Sequence, residues 1–183
     1  MYFELTVELN IFKRDVSEFL DMEVTVGVLE ESESGLGYGP HSWGLMRKLG
    51  AKRWLAPSYP EEYGGLGLSY IYRYIVHEEL DYRNALLVIR GLGMIGVDMA
   101  GPIILRYGSE ELKSEFLPRI ARGEIDLALG YTEPDAGSDL SRIAMRAVED
   151  ANDFIITGQK TFNTGCHFAQ YHWLAGRTDP DAP

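Results

Sequence analysis

Gly123-Glu124-Ile125-Asp126-Leu127-Ala128-Leu129-Gly130-Tyr131-Thr132 is where the chain changes its period. Ile125, Leu127, Leu129 and Tyr131 alternate with Asp126, Ala128, Gly130 and Thr132, the two-residue repeat of a half-buried strand. Upstream, the repeat is helical. Leu9, Phe12, Val16, Phe19, Leu20 and Val24 recur at spacings of three and four, the apolar stripe of an amphipathic helix over 8–24. Residues 32–40, Ser-Glu-Ser-Gly-Leu-Gly-Tyr-Gly-Pro, read as a break. A short helix through Leu45, Met46 and Leu49 is expected to stop at Gly50 as its C-cap. Residues 56–69, with two prolines and three glycines, read as an ordered, turn-rich connection. Ser69 caps a helix through Ile71, Ile75 and Leu80, and an apolar, glycine-dotted stretch from Ala85 ends at Gly108. Ser109, followed by Glu110 and Glu111, opens a helix through Leu112, Phe116 and Ile120 that Pro118 is expected to kink.

Downstream of Thr132 come a Pro/Gly/Asp/Ser loop from Glu133 to Asp139 and three further strands, near 144–149, 154–157 and 171–177. The organisation is α+β: about five or six helices over residues 1–122, then the beginning of an all-β domain over 123–183. Few strands with an open edge leave backbone groups unpaired and a sheet face uncovered, so the chain reads as truncated or split, with a partner chain or further sequence completing the sheet.

Composition narrows the class. Seventeen Lys and Arg against twenty-eight Asp and Glu give a net charge of −11, which argues against nucleic acid or an anionic membrane surface as partner. No apolar run approaches the roughly 20 residues of a membrane-spanning helix. The first ten residues carry two glutamates and no basic residue, unlike a secretory or transit peptide. Cys166 is the single cysteine, which excludes an internal disulfide framework and suits a reducing, cytoplasmic setting.

Two segments offer chemistry. In Tyr131-Thr132-Glu133-Pro134-Asp135-Ala136-Gly137-Ser138-Asp139 a strand delivers the Thr132 hydroxyl, and a tight loop presents the Gly137 N–H, the Ser138 hydroxyl and Asp139. In Gly158-Gln159-Lys160-Thr161-Phe162-Asn163-Thr164-Gly165, Phe162 and Thr164 lie two apart and share one face of a strand, an aromatic plane beside a hydroxyl. From the residues alone, a plain structured turn and a core Phe stand beside a ligand site as readings.

Tyr131–Asp139 nevertheless resembles the signature of the acyl-CoA dehydrogenases. So do Pro60-Glu61-Glu62-Tyr63-Gly64-Gly65-Leu66-Gly67-Leu68-Ser69, Tyr107-Gly108-Ser109-Glu110-Glu111 and Phe116-Leu117-Pro118-Arg119-Ile120-Ala121-Arg122-Gly123-Glu124, in the family's order. The resemblance implies an N-terminal all-helical domain followed by the first strands of a β-barrel domain. It implies FAD as cofactor and an acyl-CoA thioester, desaturated between its α and β carbons, as substrate. Tyr131 (by its backbone) and Thr132 would contact the flavin pyrimidine edge, Thr164 would lie beside N5, and Phe162 against the ring system. Gly137 and Ser138 would contact the acyl-CoA. A homo- or hetero-oligomer, and an electron-transferring flavoprotein as acceptor, follow from the same resemblance. The family has Trp where Phe162 stands and an aliphatic residue at Asn163. Its catalytic base is a glutamate of a C-terminal domain that this sequence does not contain, so no catalytic residue is assigned here. A noncatalytic subunit, paired with a partner that completes the fold, is the alternative.

Other patterns carry less. Gly91-Leu92-Gly93-Met94-Ile95-Gly96 matches a dinucleotide-binding fingerprint, but a helix follows where a second parallel strand is required. His41, His77, His167 and His172 show no metal-ligand spacing. Cys166 beside His167 reads as a small residue rather than a thiolate pair, and Arg90 is a weak candidate for an acidic acyl tail.

Overall fold

The computed structural model describes residues 4–34, 38–86, 88 and 93–179. They divide into two compact units, Met1–Asp126 and Leu127–Pro183.

The first unit is helical: α1 (Val7–Glu23), α2 (Val26–Ser34), α3 (Pro40–Ala51), a 3-10 turn at Glu61–Tyr63, α4 (Tyr70–Tyr82), a π-helical segment Met94–Ala100, α5 (Gly101–Tyr107) and α6 (Glu110–Ala121). The expected apolar stripe of α1 buries Val16 and Leu20, while Phe12 and Phe19 turn their rings edge-on to Trp54 at 5.6 and 5.4 Å. Lys13 of α1 pairs with Glu78 of α4 at 2.6 Å. Leu45, Met46 and Leu49 of α3 and Ile75 and Leu80 of α4 are in the core. Ser109 opens α6, its hydroxyl accepting from Leu112 N at 3.3 Å. Ser69 occupies the N-cap of α4 without a side-chain bond. Pro118 lies inside α6.

Four expectations give way. Residues 32–34 belong to α2, a helix the sequence hides because Val28 is its one buried apolar residue. Of the rest of that expected break, residues 35–37 lie outside the described residues, Tyr38 and Gly39 are outside any helix, and Pro40 begins α3. α3 runs past Gly50 to Ala51, with Lys52 as its C-cap. Gly50 is glycine for contact, not for capping: a Cβ there would stand 2.5 Å from the Arg122 backbone. The glycine-dotted stretch continues from Gly93 (φ +86°) as a π-helical segment rather than an ordinary helix. The Tyr59 hydroxyl donates to Val97 O at 2.8 Å, capping a carbonyl of that wider turn. Finally, α6 buries Leu117 and Ile120, leaving Leu112 46% exposed. Of the glycine fingerprint, Gly91 and Leu92 are outside the described residues, as is Arg90.

The second unit holds β1 (Leu127–Gly130), β2 (Arg146–Asp150), β3 (Asp153–Thr157) and β4 (Tyr171–Leu174). β1 pairs in parallel with β4, Leu127 opposite Tyr171 and Gly130 opposite Leu174. β2 and β3 form an antiparallel hairpin from Arg146↔Thr157 to Asp150↔Asp153. The fold class is therefore as expected, a helical region followed by a few strands. β1 begins two residues later than its alternation suggests and buries Leu127 and Ala128 on successive positions, so it is not the half-exposed strand the pattern describes. β4 stops at Leu174, with a single further bridge between Arg146 and Arg177. On β3, Phe154, Ile155 and Ile156 are each about half exposed, on both faces of the hairpin.

Candidate functional site

β1 delivers Tyr131 and Thr132 at its end. The chain then closes a tight turn through Pro134 and Asp135: Glu133 N donates to Ala136 O at 2.8 Å and Ala136 N to Glu133 O at 3.2 Å. Proline presets the backbone for such a corner. The turn leaves Gly137, Ser138 and Asp139 exposed, and a Cβ at Gly137 would meet nothing within 4 Å. Close approach by another molecule is open there. Leu140–Arg142 then form a 3-10 turn, and Ser141 donates to Asp139 Oδ1 at 2.5 Å.

Under this exposed rim lies a buried charge pair that the sequence reading did not single out. The Glu133 carboxylate accepts from Ala144 N at 2.6 Å, Met145 N at 2.9 Å and Lys160 Nζ at 2.8 Å. Lys160 Nζ also donates to Tyr131 O at 3.0 Å. Burial pushes the Glu133 carboxyl up, but the Lys160 ammonium and the two amides outweigh it and hold the group below the usual carboxylate range. Saturated with donors and ionised, Glu133 is poorly suited to take a proton from a substrate. The only signal for the pair was a glutamate inside the loop and a lysine 27 residues away; nothing local links them.

The second segment runs beside the first. Thr161 N donates to Thr132 O at 2.9 Å, and Leu129 N to Thr164 O at 3.0 Å. Tyr131, Thr132, Phe162 and Thr164 are thus gathered on neighbouring strips of backbone. Phe162 and Thr164 do not share a strand face, however. Residues 158–170 form no strand, and Phe162 has φ +53°, the left-handed region that costs a non-glycine residue. The residue is 88% exposed. Thr164 is also exposed and leads into a turn. Asn163 Oδ1 stands 2.9 Å from His172 Nε2, tying this bend to β4, and Trp173 Nε1 donates to the Tyr131 hydroxyl at 2.8 Å. Gly137 and Ser138 lie on the other side of the Pro134 turn.

Two cavities of this unit lie elsewhere. One of about 210 Å³ is lined by Met145, Ala147, Phe154, Ile156 and Leu174, among others, and one of about 350 Å³ by Leu140, Ser141, Ile143 and Arg177. Gly137, Ser138, Phe162 and Thr164 of the candidate site are all exposed. Among the described residues no cluster of His, Cys, Asp or Glu could hold a metal ion, and no helix is long and apolar enough to cross a membrane.

Against known proteins, residues 6–124 match the family "Acyl-CoA dehydrogenase, N-terminal domain" and residues 128–182 match "Acyl-CoA dehydrogenase, middle domain". The acyl-CoA dehydrogenase FadE29 of Mycobacterium tuberculosis is 35% identical over 182 residues, which is 100% of this chain and 46% of the relative. The ChsE4-ChsE5 complex from Mycobacterium tuberculosis is similar in structure, with a TM-score of 0.84 and 31% identity, covering 98% of this chain and 45% of that one. A glutaryl-CoA dehydrogenase from Mycobacterium smegmatis, solved in complex with FADH2, gives a TM-score of 0.76 at 26% identity over 96% of this chain and 44% of its own. The chain therefore spans about half the length of the relatives it matches.

Proposed function

Because this chain belongs to the acyl-CoA dehydrogenase family, we propose that it supplies part of the flavin- and thioester-binding site of an enzyme that desaturates acyl-CoA thioesters. The observation that carries this reading is the pairing of Tyr131–Thr132 with Thr161–Thr164, joined by the Thr161–Thr132 and Leu129–Thr164 backbone bonds. Tyr131, Thr132, Phe162 and Thr164 would hold FAD. The residues fit such a group: Phe162 stands 88% exposed, held in a left-handed backbone conformation of the kind that clusters at ligand sites. When bound, FAD would supply the acceptor for a hydride from the substrate's β-carbon. Gly137, unobstructed, and Ser138, exposed, would meet the thioester, whose carbonyl gains negative charge when the α-proton leaves and is stabilised by such donors. Glu133 is already committed to Lys160 and two amides and is not free to take the α-proton.

The domain division proposed is a helical domain over 1–122 and part of a β-barrel over 123–183. An oligomer, a role in fatty-acid β-oxidation, and electron-transferring flavoprotein as electron acceptor complete the reading. A cytoplasmic location is supported by the lone, exposed Cys166. A second reading, a noncatalytic subunit completed by a partner, is favoured by the exposed Phe154, Ile155 and Ile156 of β3.

The test is reconstitution. The purified protein is mixed with FAD, passed over a sizing column and examined for yellow, protein-bound flavin, then supplied with acyl-CoA thioesters and assayed for the enoyl product. Retained flavin supports the flavin site, and enoyl product once a chain carrying the rest of the fold is added supports the enzyme. Retained flavin with no product even then favours the noncatalytic subunit, and no retained flavin with that chain present defeats the proposal.

A further inference from the structure

We propose that Lys160 and Glu133 form a positioning clamp that sets the backbone of Tyr131 and Thr132, and through it the affinity and electronic environment of the flavin. The inference rests on the flavin-site reading above and extends it to two residues that do not touch the cofactor. The Lys160 and Glu133 side chains are only 3% and 8% exposed. Few lysines are buried so deeply, and this one has two partners, Glu133 Oε1 at 2.8 Å and Tyr131 O at 3.0 Å. The next residue on each strip repeats the link, since Thr161 N donates to Thr132 O at 2.9 Å. Lys160 and Thr161 thus grip Tyr131 and Thr132 as a two-rung ladder, one rung from a side chain and one from the backbone. Glu133 anchors the ammonium end. It is itself held by the amides of Ala144 and Met145, on the far side of the Gly137–Ser138 rim.

Stability alone is a weak reason for such a pair, because apolar side chains of similar volume do as well or better in a buried position. What an apolar pair cannot do is fix a carbonyl direction. Lys160 draws the Tyr131 carbonyl inward, which orients the following Thr132 peptide, and the ladder carries the same constraint into the strand of chain leading to Phe162 and Thr164. Both the flavin-facing strip and the substrate-facing turn then depend on one ion pair.

The experiment compares the parent protein with Lys160→Met, Lys160→Arg, Glu133→Gln and the Lys160→Met/Glu133→Gln double variant. Leu127→Ala serves as a control that lowers the melting temperature from a buried position in β1. Each is titrated with FAD, and the saturated protein is read by its visible absorption band and its flavin reduction potential. Lys160→Met and Glu133→Gln are each expected to weaken FAD binding tenfold or more and to displace band and potential. The double variant should be no worse than the poorer single, because the pair acts as a unit. Lys160→Arg should recover part of the affinity, and Leu127→Ala should lose stability with band and potential unmoved. Unchanged affinity, band and potential in Lys160→Met overturn the clamp while leaving the flavin site standing, as does an equal displacement in Leu127→Ala. Failure of the parent protein itself to take up FAD, even with a chain carrying the rest of the fold present, overturns both.

Discussion

Replacing Asp98 with alanine should cost the helical unit a large part of its stability, and restoring an apolar match should return it. Arg73 of α4 is 2% exposed and forks onto Asp98, with Nε 3.2 Å from Oδ1 and Nη2 3.0 Å from Oδ2. Its Nη1 is buried with no hydrogen-bond partner among the described residues, so the guanidinium is already one bond short. Removing the carboxylate strands a buried cation, which costs about 3–5 kcal/mol for a fully buried pair. Asp98 retains 19% exposure, so water relieves part of the charge and the low end, about 3 kcal/mol, applies. At about 2–4 °C per kcal/mol for a chain of this size, Asp98→Ala should melt roughly 6–12 °C below the parent. Arg73→Met/Asp98→Leu removes both charges and fills their space, and should melt within about 1 kcal/mol of the parent. Thermal unfolding followed by far-UV circular dichroism reads all three. The reasoning fails if Asp98→Ala melts with the parent, or if the double variant melts below Asp98→Ala. The first result would mean that solvent, not Asp98, compensates Arg73; the second, that apolar side chains do not replace the pair.

Tyr59→Phe removes the donor to Val97 O, and an orphaned buried carbonyl should cost about 1–3 kcal/mol in denaturant unfolding. The Tyr59 phenol, pushed well above its ordinary pKa by burial and then by the Asp98 charge, stays protonated at any working pH, so this loss should not vary between pH 6 and 9. Glu31→Gln tests a cap supplied from another helix: Glu31 of α2 accepts from His41 N at 3.1 Å and Ser42 N at 2.7 Å, at the start of α3 where Gly39 has no side chain to offer. Its loss should cost about 0.5–2 kcal/mol, seen as a lower midpoint in urea. Acid should weaken the fold through the same carboxylates. Burial raises the Glu31 carboxyl and the amides of Ser42 and His41 more than reverse this; Glu133 is likewise held low. Their contribution is complete above the ordinary carboxylate pKa of about 4.3 and disappears as the pH falls through the lower folded-state values. Urea midpoints of Glu31→Gln and Glu133→Gln should therefore lie below the parent at pH 7 and converge on it toward pH 2. A constant gap across that range would refute the assignment.

Helix and strand were legible wherever one face of an element alone was buried. The stripe of α1 records a local choice between water and core and the Ser109 cap of α6 a local backbone need, and local spacing is enough to read both, whereas the alternation after Gly123 marked a strand but not its burial. The Tyr131–Asp139 loop was legible for a related reason, since its glycine, proline and small polar residues answer to backbone geometry over a few positions. By itself, then, the sequence determined the helical-then-stranded order and which segments were candidates for a binding site. Tertiary structure decided what depends on residues far apart in the chain. Gly50 is held to glycine by the Arg122 backbone, Phe162 is turned out by a left-handed bend, and Asp98 is matched to Arg73 across 25 positions. Glu133 is matched to Lys160 across 27. A buried charge has no periodicity to announce it. Its partner is chosen only when the fold closes and removes water from both, and that choice turned two adjacent strips of chain into one candidate site.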